Sequence, residues 1–270
     1  MKLDFQGRTA LLRGLEFWRR GAAALPLVII LLAAFGVTAQ TTNTLSDAEI
    51  QGRQLAQQLC ETRPVENFTN TGVLRIRDQT GKSSEVPLIC KAFLTIDSTS
   101  WSAIYETVID VTQTNDILSV IHKSGQPNQY YYWKYETTKL RLEGFLSANE
   151  TMIPFDGSDF WICDLGLEFL HWPGQKILRG DTARGRLCKV LESTNPNPSP
   201  NGYSRVLCWI DNEALGIVEA KAYDAQGKLL KEFYPKDIKK VDGQWQVGSM
   251  EIDNVQTGSR TRLEFDLNAK

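Results

Sequence analysis

The side chains best suited to metal, redox or nucleophilic chemistry in this 270-residue chain are two histidines, His122 and His171, and five cysteines, Cys60, Cys90, Cys163, Cys188 and Cys208. Their spacing supports none of the usual arrangements. There is no CxxC, so a zinc site is poorly supported and no metal is expected. GxSxG, HExxH and a glycine-rich phosphate loop are also missing, which argues against the common hydrolase and nucleotide chemistries. His122 precedes Lys123-Ser124-Gly125 and His171 precedes Trp172-Pro173, and neither has a sequence neighbour that would serve as its acid or nucleophile. The acidic residues are scattered, so a carboxylate pair brought together by folding stays open. No cofactor is expected.

The cysteines admit a different chemistry. Arg186-Leu187-Cys188-Lys189-Val190-Leu191-Glu192 and Tyr203-Ser204-Arg205-Val206-Leu207-Cys208-Trp209-Ile210 flank a loop, Ser193 to Gly202, rich in Asn, Pro and Ser. Folding that loop symmetrically about Pro198 sets Cys188 opposite Cys208, close enough for a disulfide across the hairpin. A one-residue slip would put the two sulfurs on opposite faces. An odd number of cysteines leaves at least one thiol unpaired, and the pairing of Cys60, Cys90 and Cys163 is open.

Stepping along the chain, the N-terminus reads as an export signal. Lys2, Arg8, Arg13, Arg19 and Arg20 stand against only Asp4 and Glu16, and an uncharged run from Gly21 through Thr38 follows. Val37-Thr38-Ala39 offers the small residues that signal peptidase needs, so residues 1–39 are expected to be a cleaved signal and 40–270 a single domain in the periplasm. The alternative is an uncleaved anchor that leaves the domain facing the periplasm, because the run approaches the roughly 17 to 25 apolar residues of a membrane span. Removing five basic and two acidic residues from totals of 30 and 32 leaves 25 against 30, a net charge near −5. Such a chain has no footprint for phosphates, and nucleic acid is excluded as a partner. Disulfides are permitted in that compartment.

The first element after the signal is a helix. Ser46 and Glu49 form a capping box, the run ends near Glu61 before Pro64, and Ile50, Leu55 and Leu59 give it a thin apolar face. The period then changes to two. Eleven short runs rich in β-branched and aromatic residues follow, separated by turns such as Thr80-Gly81, Asn115-Asp116, Ser124-Gly125, Ala225-Gln226-Gly227, Asp242-Gly243 and Thr257-Gly258. The expected fold is mainly β: nine to eleven antiparallel strands in a meander, too many for a flat sheet, which must therefore curl.

Between the two blocks of strands, Ser158 to Leu170 reads as a helix with apolar residues on two sides. Trp161, Ile162, Leu165 and Phe169 share one side, and Phe160, Cys163, Leu167 and Leu170 another. A helix of this kind needs two apolar surroundings, one of which could be a ligand, or it is simply buried in protein. Inward-facing strand positions add Val190, Val206 and Ile210 to the candidate lining, on the same register that pairs Cys188 with Cys208.

The stretch Ser158-Asp159-Phe160 with Asp164-Leu165, the two strands around Cys188 and Cys208, Tyr223-Asp224-Ala225-Gln226-Gly227-Lys228-Leu229-Leu230-Lys231, and Asp253-Asn254-Val255-Gln256-Thr257-Gly258-Ser259 together resemble the LolA-like outer-membrane lipoprotein-sorting proteins of bacteria. The resemblance spans about residues 65 to 267 and is strongest after Phe155. It implies an incomplete, half β-barrel with covering helices around an apolar cavity for acyl chains, and hence a periplasmic carrier of lipoproteins or other acylated lipids without catalysis. Relatives of the wider fold include envelope-stress regulators, so an envelope protein-interaction or lipid-sensing scaffold, with membrane proteins as partners, is one alternative; a secreted hydrolase is another. Trp161-Ile162-Cys163 departs from the polar residues usual there, and the cysteine pair is not general, departures that point to a different ligand or partner in this branch.

Overall fold

The computed structural model describes residues 45–95, 99–110, 113–136, 139–241 and 244–267, all within one compact unit spanning residues 44–270. The expected signal and the Asp242-Gly243 turn lie outside the described residues. Helix α1, Asp47–Cys60, starts where the capping box places it: Ser46 Oγ accepts from Glu49 N, and the Glu49 carboxylate accepts from Ser46 N at 2.8 Å. Its packed face is Leu55, Ala56 and Leu59, whereas Ile50 points to solvent.

Six strands follow, β1 (Phe68–Arg77), β2 (Ser83–Leu94), β3 (Ser100–Asp110), β4 (Gln113–Lys123), β5 (Gln129–Glu136) and β6 (Lys139–Leu146). After an irregular segment come β7 (Gly174–Ala183), β8 (Arg186–Thr194), β9 (Tyr203–Asp211), β10 (Ile217–Asp224), β11 (Leu229–Val241), β12 (Gln244–Asn254) and β13 (Arg260–Asp266). Each pairs antiparallel with the next in its block, and β1 pairs with β13 from Thr71↔Asp266 to Arg77↔Arg260. The result is one 13-stranded sheet in the order β6-β5-β4-β3-β2-β1-β13-β12-β11-β10-β9-β8-β7. The two strands beyond the eleven expected, β6 and β7, are its edges. Gly180 and the charged residues around it break the β7 pattern, as is usual where one side of a strand meets solvent.

The curl follows from geometry. Leu165 O accepts a hydrogen bond from Tyr105 on β3 at 3.5 Å, while the neighbouring Asp164 carboxylate accepts one from Tyr203 on β9 at 3.1 Å. Seven steps separate β3 and β9 in the strand order. A flat sheet would hold them about 34 Å apart at ~4.8 Å per strand, so the sheet wraps around this segment without closing. The inner face carries two apolar clusters. One centres on Leu74, Leu118, Tyr132, Phe160 and Ile162; the other on Leu170, Leu191, Val206, Cys208 and Ile210; Phe233 packs against both.

Two expectations from the sequence are corrected here. The β8–β9 register sets Cys188 opposite Asp211 and Cys208 opposite Leu191, and all five cysteines are free thiols. The hairpin is offset by three residues from a fold about Pro198 because Asn195 continues the ladder, its N–H donating to Ser204 O at 2.8 Å and its side chain to Tyr203 O at 3.0 Å. An odd offset reverses parity, so Cys208 faces inward while Cys188 and Val190 join Leu207 and Trp209 on the outer face. The second correction is Asn115-Asp116, expected as a turn, which lies inside β4. Asp116 is buried and accepts from Tyr132 Oη and Asp156 N, which explains a polar residue at an inward strand position.

Helix α1 covers edge strand β7 by a close crossing. A Cβ at Gly52 would stand 2.5 Å from Lys176 N, inside contact with the strand backbone. Gly52→Val is therefore expected to force α1 off β7 and to destabilise the fold by about 1–3 kcal/mol, measured as a lower urea midpoint with an unchanged slope.

Candidate functional site

The segment from Ser158 to His171 is not one helix. Asp159 ties its start to β13: the carboxylate accepts from Thr261 Oγ1 at 2.9 Å and Ser259 Oγ at 2.5 Å, and Asp159 N donates to Thr261 Oγ1 at 2.9 Å. Helix α2 is a single turn, Ile162–Leu165, because the Asp164 carboxylate turns back to accept from Trp161 N at 2.8 Å. Gly166 ends it. A Cβ there would lie 2.3 Å from Tyr130 Oη, and Asn128 Nδ2 takes the Gly166 carbonyl at 2.8 Å. Leu167 then adopts φ 50° and a 3-10 turn runs from Glu168 to His171.

Breaking the helix rearranges the expected lining. Leu165 faces a cleft on the inner side of the sheet, but it shares that wall with Phe160, Leu167 and Leu170, which the helical period assigned to the opposite side. Trp161 instead stacks on Tyr203 with centroids 4.6 Å apart, Ile162 is fully buried beside Phe155 and Phe160, and Phe169 packs in the α1-side cluster. Val206 and Ile210 face inward without lining this cleft; Val190 lies on the outer face.

The cleft measures about 350 Å³. The broken segment forms one wall; Tyr105 on β3 and Phe233 and Met250 on β11 and β12 form the others, and Leu215, Pro235 and Val247 stand along one lip. Its other end is polar: Cys60 from α1, His122 stacked on Trp101 at 4.0 Å, and His171. Burial holds the His122 imidazolium off, pulling its pKa to about 4, and lowers that of His171 as well. Burial also pushes the Cys60 thiol up to about 12, so it is not prepared as a thiolate. Among the described lining residues there is no lysine or arginine, and Asp164 is the acid.

Under this wall lies a charge that the sequence did not flag. Lys231 is 1% exposed at an inner position of β11 opposite Ala222. Its Nζ donates to Asp159 O at 2.7 Å, sits 3.6 Å from Asp164 Oδ2, and rests 3.6 Å from the Trp161 ring centroid. Desolvation lowers the Lys231 pKa and raises that of Asp164, and each opposes the other's shift. The pair joins the segment to the sheet. Glu168 is a second buried acid, with Tyr130 Oη donating to it at 2.8 Å; burial raises its pKa to about 7. Neither group could be found from periodicity, because an inward lysine looks like the solvent-facing member of an alternating strand, and Glu168 looks like the polar strip of the helix expected there. Among the described residues no group of three or more His, Cys, Asp or Glu side chains is arranged to hold a metal ion.

A family model whose description reads "-like: Uncharacterized protein" matches residues 109–268, more than half of the chain. The chain belongs to that family of uncharacterized proteins. Three solved structures share its architecture. A DUF1329 family protein from Desulfovibrio piger is 18% identical, with 83% of this chain and 96% of that one covered at a TM-score of 0.67. A putative outer membrane lipoprotein-sorting protein domain from Vibrio parahaemolyticus is 19% identical, with 82% and 95% covered at 0.66. A LolA superfamily protein from Nitrosomonas europaea is 14% identical, with 82% and 92% covered at 0.55. No curated protein matches the sequence. At these identities the likeness is one of fold, and the fold is LolA-like.

Glu168 makes stability depend on pH in a defined direction. In the folded chain it keeps its proton up to about pH 7, whereas the unfolded chain releases it near the ordinary glutamate value of 4.5. Between those values the folded state binds more protons, so this group's contribution falls as pH rises. The histidines act oppositely below about pH 6.5, since the unfolded chain protonates them first. The Glu168→Gln variant removes only the first effect. Its stability relative to wild type is expected to rise between pH 4.5 and 7, by up to about 3 kcal/mol, in chemical denaturation series at matched pH values.

Proposed function

We propose that this protein is a periplasmic carrier or binding protein that holds an acyl chain of a lipoprotein or another acylated lipid in the inner cleft, without catalysing a reaction. The observation that carries the reading is the character of the cleft: apolar walls built from Phe160, Leu165, Leu167, Leu170, Phe233 and Met250, one polar end, and no lysine or arginine among the described residues that line it. A volume of about 350 Å³ falls at the small end of ligand pockets, a size for one chain rather than several. Burying ten methylenes would supply roughly 8 kcal/mol before ordering costs, which is enough for binding. The uncharged imidazoles and the protonated Cys60 thiol keep even the polar end free of formal charge, which suits an apolar occupant.

The same reading requires export, with residues 1–39 removed as a signal. Among the described residues no helix is long and apolar enough to cross a membrane. The protein recovered from the cell envelope is expected to begin at Gln40 on N-terminal sequencing; a chain that begins at Met1 would show an anchor instead.

Lipid retention tests the cleft. Native mass spectrometry of protein purified without delipidation is expected to show a co-purified acyl lipid, and a fluorescent fatty acyl probe is expected to bind. Leu165→Asp, which sets a carboxylate in the apolar wall, is expected to weaken probe binding tenfold or more, about 1.4 kcal/mol, in the fraction that a thermal melt shows to be folded. A clean apo mass together with no probe binding by the wild type would remove the proposal.

A further inference from the structure

The hairpin made by β11 and β12 extends past both of its neighbours. Strand β10 pairs with β11 only as far as Phe233, and β13 pairs with β12 only from Ser249 onward. Four pairs, Ile238↔Val247, Lys239↔Gln246, Lys240↔Trp245 and Val241↔Gln244, are thus made by two strands alone. An isolated two-stranded ribbon is marginal in water and gains from a surface to lie against.

The ribbon has two unlike faces. Directly paired residues share a face, so Ile238 and Val247 lie together, 52% and 37% exposed. Val247 also lines the cleft, with Pro235 and Met250 at the ribbon's base. Beside it on the same lip, Leu215 is 45% exposed and is held at φ 52°, a left-handed conformation that a leucine rarely adopts. The opposite face is charged: Lys239 pairs with Asp237 at 3.2 Å, and Lys236 with Glu251 at 3.2 Å. An apolar track therefore runs without a break from Phe233 and Met250 inside the cleft, past Val247 and Leu215, to Ile238 in solvent.

We infer that this ribbon and the Leu215 lip are a membrane-docking surface that seats the cleft mouth on a phospholipid bilayer. A protein partner fits less well. Four residues at ~3.3 Å and two strands at ~4.8 Å give a ribbon face on the order of 130 Å², against roughly 800 Å² per partner in a standard protein interface. A bilayer asks only for a few apolar side chains that can enter the headgroup boundary while long basic ones stay in water. Residues 236–247 hold three lysines against two aspartates in a chain whose formal net charge is −2, so the ribbon is its less anionic part and tolerates an anionic leaflet. The inference rests on the ribbon's geometry and stands whatever the cleft holds.

The test uses residues 44–270, the compact unit, so that the apolar N-terminal run cannot anchor the protein. The probe is a vesicle of phosphatidylethanolamine and phosphatidylglycerol in a three-to-one ratio, and the readout is co-flotation. The wild-type unit is expected to float with the vesicles, and the Ile238→Asp variant, at a ribbon residue that does not line the cleft, to lose at least tenfold of the bound fraction with an unchanged melting temperature. Leu187→Asp, at an exposed leucine on β8 away from the cleft, is expected to float like wild type. A wild-type unit that stays with the soluble fraction, or an Ile238→Asp variant that floats as well as wild type, overturns the inference. Binding of the fluorescent acyl probe without vesicles is read in parallel. The ribbon variant should retain it and Leu165→Asp should lose it, so a failure of docking and a failure of the carrier reading appear in different measurements.

Discussion

The architecture depends on one buried cation. Lys231 stands where a strand facing a core would ordinarily carry an apolar residue, and removing an ammonium from water is costly unless each of its protons is met. Here the charge is met by the Asp159 carbonyl, the Asp164 carboxylate and the face of Trp161, all from the segment that connects the two halves of the sheet. The consequence is positional. The segment cannot lift away without leaving the ammonium unpaired, at a cost on the order of 3–5 kcal/mol. It is therefore held against the inner face, and its Leu165, Leu167 and Leu170 become a wall of the cleft rather than part of a sealed core.

The sheet supplies the complementary constraint. Two antiparallel meanders, β1–β6 and β7–β13, meet where β1 pairs with β13, which leaves the edges β6 and β7 far apart in strand order and the curl open. Helix α1 lies across the β7 edge, with Gly52 allowing the close approach, and its last residue, Cys60, comes to rest at the polar end of the cleft. The same arrangement leaves the longest hairpin, β11–β12, without neighbours at its tip. An open sheet with one wall filled by an irregular segment thus gives both a recess and a projecting lip beside it.

The buried acids show how the cleft acquires its polarity. Glu168 and Asp164 are placed by local backbone needs, the first beneath Tyr130 and the second capping the one-turn helix at Trp161. Both have raised pKa values because burial penalises their charge, while the two histidines have lowered ones for the same reason. Burial thus holds the two histidines that line the recess in their neutral forms, which favours an uncharged, greasy occupant over an ionic one.

The sequence alone determined the features that depend on near neighbours. The Ser46–Glu49 capping box, the change of period after Pro64, the glycine-bearing turns at Gly81 and Gly227, and the antiparallel meander that must curl were all legible, because each rests on contacts within a few residues. The ordered set of segments after Phe155 also carried the resemblance to the LolA-like fold. What tertiary structure decided was every question of parity and partner. A three-residue offset at Asn195 put Cys188 and Cys208 on opposite faces; Gly166 meeting Tyr130 broke a helix that periodicity drew as continuous; and Lys231 turned inward because Asp159, Asp164 and Trp161, distant by tens of residues, were there to receive it. Period-two and period-3.6 patterns report which side a residue shares with its neighbours in the chain. They carry no information about what the rest of the fold places on that side.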